Sequence, residues 1–269
     1  MEYLDLYKKW TLIVAGLFIG LAAACGSFNG ETETREDTFV VGGSPSLVVN
    51  NDNGRVAVKA GSDSSVTVKA ILRNPNRVEY EISQVGGAII IEAKSDSRGV
   101  FDFGESPGVD LEITAPSSTM LELLTSNGDV DVHGLHKSGV VRTSNGAIVA
   151  ADVVGVFELS TSNGKVTVDQ SEGTFNIESS NGQIDFEAEL TANGNNRLST
   201  SNGSVAIKLL GTPNLKLDVS TGNGSIKTDL PIRLTSELDE RHVIGTIGDR
   251  DAELAELFVR TSNGSVQIK

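Results

Sequence analysis

Apolar residues recur along the chain in short alternating runs, separated by a repeated corner whose Asn-Gly glycine stands at 54, 128, 146, 164, 182, 203, 224 and 264, among the chain's Asn-Gly pairs. From 128 onward the intervals are 18, 18, 18, 21, 21 and 40, the last about twice 20. A fixed period of this size marks stacked structural units. Two residues after each glycine stand Val56, Val130, Ile148, Val166, Ile184, Val205, Ile226 and Val266, all aliphatic and β-branched. Four after come Val58, Val132, Ala150, Val168, Phe186, Ile207, Thr228 and Ile268, and five before come Val49, Leu123, Val141, Leu159, Ile177, Leu198, Val219 and Val259. Spacing by two on both sides of the corner predicts strands with one face turned inward. Each unit therefore reads as strand, Asn-Gly corner, strand, looser second corner. The alternate positions, such as Asp129, Ala147, Lys165 and Gln183, keep no common chemistry and read as a solvated outer face.

Two all-β architectures fit these columns. In an antiparallel meander, Asn-Gly would form a type I′ hairpin turn. In a parallel β-solenoid, each unit of 18–21 residues is one coil, and coils stack about 4.8 Å apart. The corner is Thr-Ser-Asn-Gly at 125–128, 143–146, 161–164, 200–203 and 261–264, with close variants at 179–182 and 221–224. Stacking brings like corners into contact, where amides in register bond up and down the pile, and glycine is expected there to accept the corner's backbone angles. A meander places those corners two strands apart, where identity gains nothing. The pattern favours the solenoid over residues 38–269 and keeps the meander as its alternative.

Between Gly54 and Gly128 the corner is missing, and the strand register of 60–115 is left open. A second lapse runs from Pro231 to Glu256, where acids and bases alternate. There the expectation is one irregular coil plus a charged excursion that covers the last coil's exposed strand edge, with Leu257 to Lys269 returning as a final strand pair near the end of the stack.

The first residues follow a different pattern. Lys8 and Lys9 precede an uncharged apolar run from Trp10 to Ala24, shorter than the roughly 20 residues a spanning helix needs. It closes on Leu21-Ala22-Ala23-Ala24-Cys25, and small residues before a cysteine resemble the bacterial lipobox, with Leu21 one place further back than usual. The resemblance implies a lipoprotein signal peptide at 1–24 and a lipid on the Cys25 thiol. Cys25 is the single cysteine of the chain, so an intramolecular disulfide is excluded. Residues 25–37 read as a flexible tether.

Composition narrows the function. Of 269 residues, 36 are acidic and 22 basic, a net charge of −14. Nucleic acid is excluded as a partner, because phosphate binding needs a basic face. The single Trp and two of three Tyr lie in the first ten residues, leaving Tyr80 alone afterwards. Sugar clefts and base-stacking platforms rely on such rings.

Val109 to Pro116, followed by Leu121 to Val130 with Thr125-Ser126-Asn127-Gly128 inside it, resembles the putative-adhesin domain of unknown function of bacterial envelope proteins. So do Ile244 to Gly248 and Leu257 to Val266 near the close. The resemblance covers about 38–269. It implies a β-solenoid on the cell envelope and supplies no catalytic residues.

Candidate chemistry is sparse. His133 and His136 lie three apart, but zinc needs three or four ligands, and only His242 and Cys25 remain to complete a set. Asp129 and Asp131 share an outward face, and Asp249 and Asp251 a loop, whereas calcium takes six to eight oxygens. No Gly-x-Ser-x-Gly elbow is present. The Asn-Gly-Ser triplets at 202–204, 223–225 and 263–265 match a glycosylation acceptor but read as repeat corners. The expectation is a non-enzyme with no metal or cofactor, an adhesin or surface scaffold. It would be held to the membrane by its lipid, in the outer membrane of a two-membrane bacterium, with an envelope polysaccharide or protein as partner. A polysaccharide-active β-helix enzyme and an envelope-stress regulator stand as alternatives.

Overall fold

The computed structural model describes residues 31–96, 106–235, 240–249 and 253–269. Cys25, the apolar run before it and Asp251 lie outside these residues. Along the described chain run β1 (Thr32–Val40), β2 (Ser46–Asn53), β3 (Val56–Ala60), β4 (Ser65–Arg73), β5 (Val78–Val85), β6 (Ala88–Ser95) and β7 (Gly108–Ala115). Then come β8 (Met120–Asn127), β9 (Val130–His133), β10 (Gly139–Asn145), β11 (Ile148–Ala151), β12 (Val154–Thr161), β13 (Val166–Ser179), β14 (Ile184–Leu190), β15 (Asn195–Thr200) and β16 (Val205–Leu209). The last are β17 (Leu215–Asn223), β18 (Ile226–Thr228), β19 (Arg233–Leu234), β20 (His242–Ile247), β21 (Ala255–Asn263) and β22 (Val266–Ile268). All join one mixed sheet of 22 strands. The protein is all-β: helical geometry among the described residues is confined to a single 3-10 turn, Pro75–Arg77.

The β-branched column two residues past each glycine is in register. Val56 pairs with Val130, then Ile148, Val166, Ile184, Val205, Val266 and Ile226 in spatial succession, all in parallel ladders. The strands before each corner form a second parallel ladder, with β2, β8, β10, β12, the end of β13, β15, β21 and β17 side by side. Among the described residues, the two strands flanking an Asn-Gly corner are not paired with each other, as a hairpin turn would require. Alternation explains the ladders: inward Val141, Leu159, Ile177 and Leu198 are fully buried, while their chain neighbours are exposed or half-buried. Burying aliphatic side chains of this size stabilises by about 1.5–3 kcal/mol each. Phe157 stacks on Phe175 with centroids 6.2 Å apart, and Phe175 meets Phe186 edge-on at 5.3 Å. Gly139 makes room for Phe157, since a Cβ there would lie 2.7 Å from the ring's Cε1.

Antiparallel pairing, the mark of the meander, appears at both ends. The segment 60–115, of open register, contributes β6 and β7, which pair parallel with β2 and β3 on the sides away from β8 and β9. It also contributes β4, antiparallel to β7, and β5, antiparallel to β6. β1 lies antiparallel on β4. Residues 32–37, expected in the tether, are therefore strand. β1 places Glu33, Arg35 and Asp37 opposite buried Leu72, Ala70 and Val68, on its inward face. Inward charges of this kind keep an edge strand from pairing with further chains. A hydrogen bond from Arg35 at 2.8 Å lowers the Glu33 carboxyl pKa, while burial raises that of Asp37.

At the other end Leu257 to Lys269 returns as a strand pair near the end of the stack, as expected, but one level in from it. β21 and β22 are not the last pair of the stack: they lie between β15–β16 and β17–β18. The segment expected to hold an irregular coil instead supplies β19 and β20, which pair antiparallel with each other, β20 also lying antiparallel on β17.

Candidate functional site

The repeated corner is the most ordered chemistry in the molecule, and its four positions do different work. The first, Thr or Ser, turns inward on the same parity as the aliphatic columns. Its hydroxyl donates to the carbonyl of the preceding corner's glycine: Thr143 to Gly128 at 3.2 Å, Thr161 to Gly146 at 3.0 Å, Ser179 to Gly164 at 3.2 Å, Thr200 to Gly182 at 2.9 Å. A half-buried corner carbonyl gains from such a donor. The third position forms an unbroken amide ladder. Asn145 donates to Asn127, Asn163 to Asn145, Asn181 to Asn163, Asn202 to Asn181, Asn263 to Asn202 and Asn223 to Asn263, at 2.8–3.0 Å.

The glycine has a reason other than the one expected. Gly54 alone among the corner glycines has a positive φ, +129°. At Gly128, Gly146, Gly164, Gly182, Gly203, Gly264 and Gly224 an added Cβ would overlap the carbonyl of a neighbouring corner's glycine. The position demands glycine because backbone stacks on backbone, not because of the corner's angles. The second position, Ser126, Ser144, Ser162, Ser180, Ser201 and Ser262, is exposed.

The sequence's metal candidates are placed apart or engaged elsewhere. His133 and His136 are exposed at the second corner after β9, and His242 lies on β20 at the far end, its Nε2 3.0 Å from Asp218 Oδ1. Asp129 accepts the Ala147 N–H at 2.8 Å, and Asp131 pairs with Arg55 at 2.8 Å. Asp249 borders an open depression of about 410 Å³ with Pro231, Ile232, Arg233 and Gly248. Among the described residues no group of three His, Cys, Asp or Glu is placed to hold a metal ion, and no helix is long and apolar enough to cross a membrane.

Two buried polar residues escaped the sequence reading. Asn51 stands where later corners have Thr and donates to Gly54 O at 3.2 Å and Val109 O at 3.0 Å. Asn196, fully buried, accepts the Phe175 N–H at 2.8 Å and donates to Glu256 O at 3.1 Å. Parity was the available signal, because both sit on the inward face.

No family model and no curated protein matches the chain. Among solved structures it is similar to a "putative cell adhesion protein" from Clostridium sporogenes, at 12% identity over 88% of this chain and 99% of that one, with a TM-score of 0.34. A "putative adhesin" from Bacteroides fragilis gives 10% identity over 90% and 100%, at 0.37. A "putative lipid binding protein" from Parabacteroides distasonis gives 15% over 90% and 98%, at 0.34. Similarities this low carry no argument about function.

Proposed function

We propose that the chain is a lipid-anchored envelope module, a parallel β-solenoid tethered through Cys25, that acts by binding or scaffolding rather than by catalysis. The observation behind this reading is the division of labour at the corner. Thr, Asn and Gly hold coil to coil, while the outer columns vary from one coil to the next and offer a broad polar surface. From β7 to β18 the corner-following ladder counts nine strands, a pile about 38 Å high at ~4.8 Å per step. Cys25 precedes Thr32 by seven residues, a reach of at most about 25 Å. On this reading the end carrying β1 stands near the membrane and the end carrying β18 projects from it. The outer membrane is the expected site in a two-membrane bacterium, since Gly26 and Ser27 follow the cysteine with no Asp after it.

Labelling cells with a palmitate analogue tests the anchor: wild type takes up label and Cys25→Ala does not, and equal labelling ends this part of the proposal. For the binding role, the soluble 31–269 fragment is screened against glycan arrays and cells, beside an assay for newly released sugar ends. Binding without turnover is the expected result. Turnover that disappears on changing one acidic residue would establish the enzyme alternative instead.

A further inference from the structure

Chain order and spatial order agree from β8 to β16, where each coil docks on the one made just before it. β21–β22 breaks that rule. It enters between two coils that 210–214 already join, with β15–β16 on one side and β17–β18 on the other. Those five linking residues cross two levels, about 9.6 Å, well within their extended reach. The two walls of the gap are therefore covalently continuous without the segment that fills it.

We propose that this gap is a binding slot for a strand–Asn-Gly–strand segment, that residues 253–269 are its resident occupant, and that the same segment of a second copy can replace it.

The slot is built to recognise that grammar. β21 makes parallel register with six residues of β15, Asn195 to Thr200. On its other side it aligns with β17 from Leu215 to Asn223. The ladder passes through the occupant, Asn263 donating to Asn202 and accepting from Asn223, each at 2.8 Å. Hydroxyls close both faces: Thr261 donates to Gly203 O at 2.8 Å and Thr221 to Gly264 O at 2.7 Å. At the entrance, fully buried Asn196 donates to Glu256 O, and Glu256 N–H donates to Gly194 O at 2.8 Å. Leu257, Val259, Val266 and Ile268 complete the aliphatic columns from within the occupant. Gly264 sets the selectivity, because a side chain there would run into the Gly203 carbonyl.

The recognition is of the kind seen when an extended peptide adds to a sheet edge, with main-chain bonds giving affinity and side-chain columns giving register. Here the segment meets two edges at once. Because the occupant is tethered, its effective concentration keeps it in place, and exchange between copies requires either a cut tether or a high protein concentration.

The test uses the full chain with a specific protease site inserted after Asp249. After cleavage the 253–269 fragment is expected to co-elute with the body on gel filtration. Excess labelled synthetic 253–269 should then replace it, whereas the same peptide carrying Gly264→Val competes at least roughly tenfold more weakly. The proposal is overturned if the fragment leaves on cleavage while the body keeps its melting temperature, if it stays but never exchanges up to that temperature, or if the Gly264→Val peptide competes equally. Should the cut protein aggregate, hydrogen exchange on the intact chain decides. Val259 and Val266 amides should exchange through an opening of lower free energy than that of Val141 and Val166. Exchange of all four only on global unfolding would refute the slot.

Discussion

The middle of the molecule and its N-terminal end solve one packing problem with different atoms. From β10 to β16 a corner meets a copy of itself, so one hydroxyl donor, one amide and one bare α-carbon serve every level. At β2 and β3 the corner's outer neighbour is β7, which carries no copy. There Asn51 does the work of threonine and reaches Val109 O as well as Gly54 O, Asn53 donates to Pro107 O at 2.7 Å instead of to another asparagine, and Gly54 adopts the positive φ its successors avoid. Repetition in the sequence is thus required only where the spatial neighbour is itself a repeat. Where it is not, the constraint moves to individual residues.

The largest test of that contrast sets one core column against its own end. Val166 has a stacked neighbour on both sides and is fully buried, while Ile226 occupies the equivalent place on β18 and is only half-buried. Val166→Asp strands a carboxylate among aliphatic side chains and is expected to cost about 4 kcal/mol or more, abolishing a cooperative melt. Ile226→Asp, with water in reach, should cost about 1 kcal/mol. Equal losses in urea titrations would mean that the end of this ladder is as enclosed as the middle.

A smaller contrast separates two reasons for glycine. Gly164 has an ordinary φ but no room, because a Cβ would overlap the Gly146 carbonyl. Gly86, in the β5–β6 turn, has φ +61° and open space around it. Gly164→Ala must push two stacked corners apart, at about 3 kcal/mol. Gly86→Ala costs only the left-handed penalty, about 1 kcal/mol. Thermal melts that rank them the other way would restore backbone angle as the reason for the corner glycine.

How much of this was legible depends on what repeats. The aliphatic columns, the stacked corners and the asparagine ladder follow from the 18–21 residue period, and the structure places them in the expected register. An edge cover was expected from the C-terminal segment, but the pairing at the two ends was not legible, because antiparallel strands such as β4 and β20 have no partner resembling themselves and therefore leave no period. The displaced position of β21–β22 was hidden for the opposite reason. Thr261-Ser262-Asn263-Gly264 fits any level of the stack, so the corner sequence encodes the contact without encoding which neighbour makes it. The metal candidates His133, His136 and His242 illustrate a further limit, since distance along the chain says nothing of the length of the pile between β9 and β20.

The smallest effect is also the one whose sign depends on the boundary between the two regions. Thr161 and Thr125 occupy the same column, and both are buried. Thr161 donates to Gly146 O at 3.0 Å, so Thr161→Val removes a bond and deprives a corner carbonyl of its donor, at about 1 kcal/mol. Thr125 is the first threonine of the column, and the carbonyl it would serve, that of Gly54, already accepts from Asn51. Its hydroxyl is left buried without a partner, as is Asn51 Oδ1 on the residue that pairs with it in the ladder. Valine matches threonine in shape and carries no polar group to desolvate. Thr125→Val is therefore expected to be neutral or to stabilise by up to about 1 kcal/mol, opposite in direction to Thr161→Val. A loss at Thr125 as large as that at Thr161 would show the hydroxyl to be satisfied by a buried water shared with Asn51, and the first level of the stack would then be as fully bonded as those that follow it.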